Sequence, residues 1–353
     1  MASCDRRHPS IHPSPHDPPR TPIPSRPFPP DIRAETTPMT DGLTAFEHAL
    51  ARFPDEAADL LRTLPDRRGA IPAAEAERLG ELLGTDRRSL MIALLPVAAA
   101  FAHPAISAFA VGAVAAGRTT PDGRAALYLG ANFEVGGEFP TLSVHAEQAA
   151  AAHAWLAGET GLSALAASSP PCGHCRQFLY ELEDAQALEI LSASEEAPGY
   201  RTTTLARLLP DAFGPHILGI AGGFMANRGS APRLVFDEAR DAVREAALQA
   251  ASASYAPYTG AFAGCALQTA DGGIVVGRTV ENAAHNPGLS AAQMAFSAFN
   301  AGPLRGDFTA IRRVVLVEHA TMSSQAALAE RCAHALAPWA AFECCRARLA
   351  SMD

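Results

Sequence analysis

FAVGAVAAGRTTPDGRAALYLGANFEVGGEFPTLSVHAEQAA (residues 109–150) holds two short apolar stretches on either side of an Asp-Gly turn. A Glu-containing loop and the head of an Ala/Gln-rich helix follow. The order recurs in FAGCALQTADGGIVVGRTVENAAHNPGLSAAQMAF (262–296). Between the copies, LSALAASS and ALEILSA read as buried strands and GHCRQFLYELED as a helix. Strands alternating with helices imply an α/β layer fold built on a repeat. Aligning Gln293 with Gln148 sets Ser290 opposite His145 and Ala292 opposite Glu147, and no CxxC follows the second copy. A helix that packs the same way without His and Glu implies that these two serve something other than the fold.

Twenty-seven residues after His145 comes PCGHC, with Cys172 and Cys175. A CxxC turn brings two thiolates to one side, which suits a soft or borderline metal. A helix following the turn favours the thiolate form through its dipole. One His and two Cys make three protein ligands, and a tetrahedral zinc then keeps a position for water, as in catalytic sites. At the first helical turn the residue before the helix need not be helical, so His145 and Glu147 can face the same ion. A carboxylate beside the metal's water can take its proton and pass it on. Three other readings stand beside this one: a redox CxxC, which would need no HxE upstream, a purely structural zinc, and His174 as a fourth ligand closing the site. Cys332, His334, Cys344 and Cys345 form a possible second metal set with irregular spacing, and scattered cysteines of this kind are usually small buried apolar residues.

The chain of 353 residues is 48% hydrophobic and 18% charged, with net charge −9, which suits a mostly globular protein of two or three domains. With no Lys/Arg-rich run, that charge excludes a general nucleic-acid or membrane-surface binder. Seven irregularly spaced Cys fit a reduced, cytoplasmic compartment rather than a disulfide framework. Ser89–Gly117 lacks Asp, Glu, Lys and Arg and exceeds the ~20 residues of a membrane span, but Pro96, His103 and Pro104 interrupt it. It reads as a core helix followed by a core strand, and the N-terminus has no apolar signal region.

Ten of the first thirty residues are Pro. Residues 1–38 are therefore expected to be disordered, with translation beginning at Met39 as one explanation and a proline-rich docking arm as another. Segments LTAFEHALARF, DEAADLLRTL, AAEAERLGELLG and RRSLMIALL carry apolar residues at helical spacing, separated by Pro54, Pro65 and Pro72. The expected organisation is a disordered segment at 1–38, a small helical domain at 39–97, a zinc-bearing domain at 98–228, and a degenerate repeat with a C-terminal tail at 229–353.

HxE followed by PCxxC is the recognised signature of zinc-dependent deaminases. With LLPVAAAFAHPAIS, GANFEV, VHAEQAAAAHAWL, PCGHCRQFLYEL, LLPDAFGP and VENAAHNP, the chain from about 42 to about 320 resembles the long, homodimeric form of cytidine deaminase. The resemblance implies two tandem three-layer α/β/α domains with mixed central sheets, behind the small helical domain. It implies one zinc per subunit on His145, Cys172 and Cys175, and Glu147 as proton shuttle. Asn132 and Glu134 would bind the ribose, the backbone of Ala146 would meet the pyrimidine edge, and Phe109 and Phe213 would lie near the base. Taken alone, Phe109 reads as core. The implied reaction is hydrolytic deamination of cytidine and 2′-deoxycytidine in pyrimidine salvage, by hydroxide on the zinc attacking C4. Another zinc deaminase, acting on a nucleotide, a base or a nucleoside antibiotic, and a non-catalytic zinc-stapled protein remain as alternatives. The second repeat would help build the partner subunit's site, making the dimer obligatory. His285 departs from an aromatic residue common at its position, and the segment after about 320 has no counterpart in the resemblance.

Overall fold

Five helices come first: α1 (Gly42–Leu50), α2 (Asp55–Arg62), α3 (Ala73–Leu83), α4 (Arg87–Ala93) and α5 (Leu95–Ala99). The sequence explains their ends. Pro54 and Pro72 stand just before α2 and α3, where a missing N–H costs nothing. Gly84 closes α3 in the left-handed region at φ 59°, and the Asp86 carboxylate caps α4 by accepting from Ser89 N at 2.8 Å. A two-residue strand, β1 (Ala70–Ile71), lies between α2 and α3, and nothing in the apolar spacing marks it. The computed structural model describes residues 42–194, 199–226, 232–236, 239–319 and 321–350, all in the unit Pro38–Asp353. The proline-rich segment 1–38 lies outside the described residues.

Then follow β2 (Gly112–Gly117), β3 (Leu127–Ala131), α6 (Ala146–Leu156), β4 (Leu162–Ala167), α7 (Gly173–Leu179), β5 (Glu189–Ala193), β6 (Tyr200–Thr204), α8 (Leu205–Leu208) and β7 (Leu234–Val235). The second half holds α9 (Ala242–Ser252), β8 (Ala263–Thr269), β9 (Ile274–Arg278), α10 (Ala291–Asn300), β10 (Ile311–Glu318), α11 (Ala326–Leu336), β11 (Ala341–Arg346) and β12 (Arg348–Leu349). One sheet runs β1-β3-β2-β4-β5-β6, the other β11-β10-β8-β9, and β12 pairs with β7. Among the described strand pairings, β4–β5 and β10–β11 are parallel and the others antiparallel. The order β3-β2-β4-β5 is therefore repeated as β9-β8-β10-β11, with the same sense at every pairing. The repeat extends further than the sequence showed. The segment after 320 supplies α11 and β11, the counterparts of α7 and β5.

Strand residues alternate between two cores, as a period of two requires. Val114, Ala116, Leu129 and Ala166 face α1–α5, while Ala113, Ala115, Leu165 and Ala167 face the core that holds α6 and α7. In the second sheet Ala266, Val315 and Val317 face α9, while Cys265, Leu267, Val314 and Leu316 face the core of α10 and α11. Each repeat is thus three layers, α/β/α. The inner layers merge in one core, where α6 and α10 meet. That placement explains why α6 is buried on nearly all sides and consists largely of Ala.

The backbones of sheet and helix touch. A Cβ on Gly130 would lie 2.2 Å from Ala150 N, and one on Gly277 2.2 Å from Ala295 N. Gly112 meets α5 and Gly264 meets α9 in the same manner. The apolar stretch Ser89–Gly117 is divided among α4, α5 and β2, and no described helix is long and apolar enough to cross a membrane. Gly277→Ala is expected to lower unfolding free energy by about 1–3 kcal/mol, because backbone cannot give way as a flexible side chain would. Denaturant unfolding checks this, and an unchanged midpoint would contradict the close approach.

Candidate active site

His145 is the N-cap of α6, with φ −80° and ψ 157°, so its side chain leaves the helix axis before the helix begins. Cys172 is the N-cap of α7, and Cys175 sits in that helix's first turn. Because β2 lies between β3 and β4 and pairs antiparallel with both, β3 and β4 run the same way, and the helices that follow them start at the same end of the sheet. His145 Nδ1 lies 3.5 Å from Cys172 Sγ and 3.3 Å from Cys175 Sγ, and the two sulfurs are 3.6 Å apart. A tetrahedral zinc with ordinary Zn–S and Zn–N lengths needs such donors about 3.5–3.8 Å apart. The triangle therefore fits the ion, and among the described residues it is the one His/Cys/Asp/Glu group of that kind.

Electrostatics at α7 favour one thiolate. Cys172 Sγ accepts from the Cys175 thiol, and this holds Cys172 down at about 4 against the opposing effect of burial. Backbone N–H groups of Cys175 and His174 at the helix start and the nearby His145 add to it. Cys175, giving that hydrogen bond from a buried position, is pushed up. Glu147, buried in the first turn of α6, is raised chiefly by desolvation, with Cys175 within hydrogen-bonding reach working against it.

Asn132 and Glu134 lie just beyond β3. Glu134 Oε2 accepts from Ile106 N at 2.7 Å and Ser107 N at 2.8 Å, and Oε1 from the Ser107 hydroxyl at 2.6 Å. Burial opposes its charge, but these bonds outweigh burial and keep its pKa below the usual carboxylate range. Asn132 Oδ1 accepts from Val111 N at 2.8 Å, and its Nδ2 donates to Phe109 O at 2.9 Å and reaches Glu134 Oε1 at 3.4 Å. Ala146 is fully buried at the head of α6. Phe109 and Phe213 are 44% and 42% exposed, so Phe109 is a surface aromatic and not a core one.

His174 does not join the donors. Its Nε2 lies 3.3 Å from Gln148 Nε2, and its ring is tilted beside that of His145. His153 is buried, with Nδ1 at Leu129 O. Cys332, His334, Cys344 and Cys345 do not come together as a metal group.

Gln148, which in the sequence only sets the register of the two repeats, ties the site to the second repeat. Its Oε1 accepts from His145 N at 3.0 Å, and its Nε2 donates to Pro287 O at 3.1 Å. Gln293 returns the contact, donating to Leu142 O at 3.2 Å. A Gln three residues after an N-cap is a capping-box position, which could have marked it. Glu181 is fully buried between the repeats and accepts from Tyr255 Oη at 2.6 Å, from Tyr258 Oη and from Ala283 N at 2.9 Å.

Two segments, 85–188 and 205–330, match the family described as the cytidine and deoxycytidylate deaminase zinc-binding region. The cytidine deaminase of Shewanella loihica is 41% identical over 275 residues, which are 77% of this chain and 88% of its own length. That of Shewanella oneidensis is 40% identical over 276 residues, again 77% and 88%. A solved cytidine deaminase from Burkholderia pseudomallei is 29% identical over 35% of this chain and 98% of its own, with a TM-score of 0.30. Cys172→Ala is expected to lose bound zinc in metal analysis of the purified protein, since two donors remain. Full zinc content in that variant would show that the ligands lie elsewhere.

Proposed function

We infer the finer chemistry from one premise: the chain belongs to the cytidine and deoxycytidylate deaminase family. It is a zinc enzyme that deaminates cytidine. We propose that it also deaminates 2′-deoxycytidine, giving uridine or 2′-deoxyuridine and ammonia. The observation that carries the residue assignment is the donor triangle of His145, Cys172 and Cys175 with the buried carboxylate of Glu147 beside it. These three would hold one zinc per subunit, and zinc, when bound, makes water acidic enough to act as a nucleophile at neutral pH.

Glu147 does the proton work. Buried at the head of α6, it takes one proton from the attacking water and delivers it to N3 of the pyrimidine; it then takes the proton of the new C4 hydroxyl and delivers it to the amino group, so that the C4 carbonyl forms as the C4–N bond breaks and ammonia leaves. A dry carboxylate is suited to this, because it holds each proton from pick-up to delivery instead of losing it to solvent. Glu134 Oε1 makes one short bond, which leaves it an acceptor for a ribose hydroxyl, with the Asn132 amide beside it. The backbone of Ala146 faces the pyrimidine edge. The exposed rings of Phe109 and Phe213 offer apolar faces for the base. Such rings favour a second copy of the chain covering them, so an obligate homodimer is proposed. Cys172, Cys175, Cys265, Cys332 and Cys344 are free thiols, which favours a reducing compartment, the cytoplasm. The partner is a small-molecule nucleoside, not a nucleic acid or a membrane.

Loss of cytidine and deoxycytidine ultraviolet absorbance with purified protein, run beside nucleotides and free bases, tests the substrate class. Turnover of a nucleotide alone would overturn the nucleoside reading. Glu147→Ala is expected to keep its zinc and lose about 10²–10⁴-fold or more in kcat. Near-normal kcat in a zinc-loaded variant would remove Glu147 from the mechanism.

A further inference from the structure

The second repeat has lost the donors but kept the carboxylate. Glu281 stands where Glu134 stands. Each follows the second strand of its repeat, each N–H donates to the carbonyl of a residue in the preceding loop (Glu281 N to Tyr255 O at 2.8 Å, Glu134 N to His103 O at 2.9 Å), and the neighbouring Val280 and Phe133 make equivalent bridges. The hydrogen bonds correspond atom for atom. Glu281 Oε2 accepts from Tyr258 N at 2.8 Å and Thr259 N at 3.2 Å, and Oε1 accepts from the Thr259 hydroxyl. The first repeat uses Ile106 N, Ser107 N and the Ser107 hydroxyl in the same way.

Glu281 also borders a cavity of about 300 Å³, within the range of a small-ligand site. Its walls carry Thr259, His285, Asn286, Ser290 and Gln293, and His174 and Gln148 of the first repeat complete one side. A carboxylate that only fixed a turn would need no cavity beside it. At the deep end the metal's place is closed. Gln325, the N-cap of α11 as Cys172 is of α7, accepts from Ala291 N at 3.0 Å and donates to Thr279 Oγ1 at 2.7 Å. A neutral amide is no zinc ligand, and Ala292 replaces the proton shuttle.

We propose that this cavity is a second, non-catalytic nucleoside site, holding the ribose on Glu281 with the base toward His285 and His174. The proposal rests on the reading of Glu134 as a ribose ligand. Because Gln325 takes the backbone N–H that corresponds to that of Ala146, the base lies nearer the cavity mouth than in the first repeat, and nothing there can hydrolyse it.

Uridine, the reaction product, is the probe, because it is not turned over. Equilibrium dialysis of radiolabelled uridine to saturation against the zinc-loaded full-length protein is expected to give two molecules per chain. Glu281→Gln should give one. So should Asn286→Trp, which fills the cavity from its exposed rim and leaves the buried hydrogen bonds intact. One or no uridine per chain in the wild type overturns the proposal, as does a count of two in Asn286→Trp. Glu134→Gln separates the two readings. If it removes a bound uridine and raises KM for cytidine at least tenfold while the wild type binds only one, the ribose reading stands and the second site falls. If it changes neither count nor KM, the ribose reading itself has failed.

Discussion

The backbone of β3 touches the backbone of α6. A Cβ at Gly130 would lie 2.5 Å from Ala146 O and 2.2 Å from Ala150 N, so the helix rests on the strand with no side chain between them. That contact fixes the first turn of α6 against the sheet, and the first turn carries His145 and Glu147. Gln148 adds a second constraint from the opposite side, joining His145 N to Pro287 O of the other repeat. The donor side chain is thus held between its own sheet and its sister repeat. Precise placement matters here because three donors that share one ion would have to meet it at lengths defined to a few tenths of an ångström.

Duplication shows what the site costs the fold. At the head of α10, Ser290 makes a reciprocal capping box with Gln293: its hydroxyl accepts from Gln293 N at 3.2 Å, and Gln293 Oε1 accepts from Ser290 N at 3.1 Å. A Ser cap contributes about 1 kcal/mol. His145 occupies that position in the first repeat and turns its ring to the cysteines instead. Gln148 Oε1 still accepts from His145 N there, as Gln293 Oε1 does from Ser290 N. The second repeat keeps the conventional cap and has no ion to hold. The two helices differ in the residues that chemistry requires and agree in those that packing requires.

The site was legible to the extent that its residues are chemically specific. His145, Glu147, Cys172 and Cys175 could be named as candidates because few residue types can bind zinc or move protons, and their spacing matches strand and helix starts. Phe109 was misleading, since apolar character cannot tell a core ring from one at a surface. The spacing of Gln148 marks a capping box, but its bond to Pro287, like that of Glu181 to Ala283, was invisible because the partners lie more than a hundred residues apart. The segment after 320 was unplaced because α11 and β11 share the topology of α7 and β5 without their sequence. Hydrophobic pattern repeats more faithfully than residue identity when only packing is conserved between two halves.

By itself the sequence determined the alternation of strands and helices, the existence of a repeat, and the donor set for a metal. These are local properties, set by periodicity and residue chemistry. Tertiary structure alone decided that β4 lies beside β2, which brings Cys172 and Cys175 to His145 across a gap of 27 residues or more. It also decided which aromatics face water and which carboxylate borders a cavity. Such facts depend on which strands pair and how closely helices approach them, and pairing is a property of the whole core.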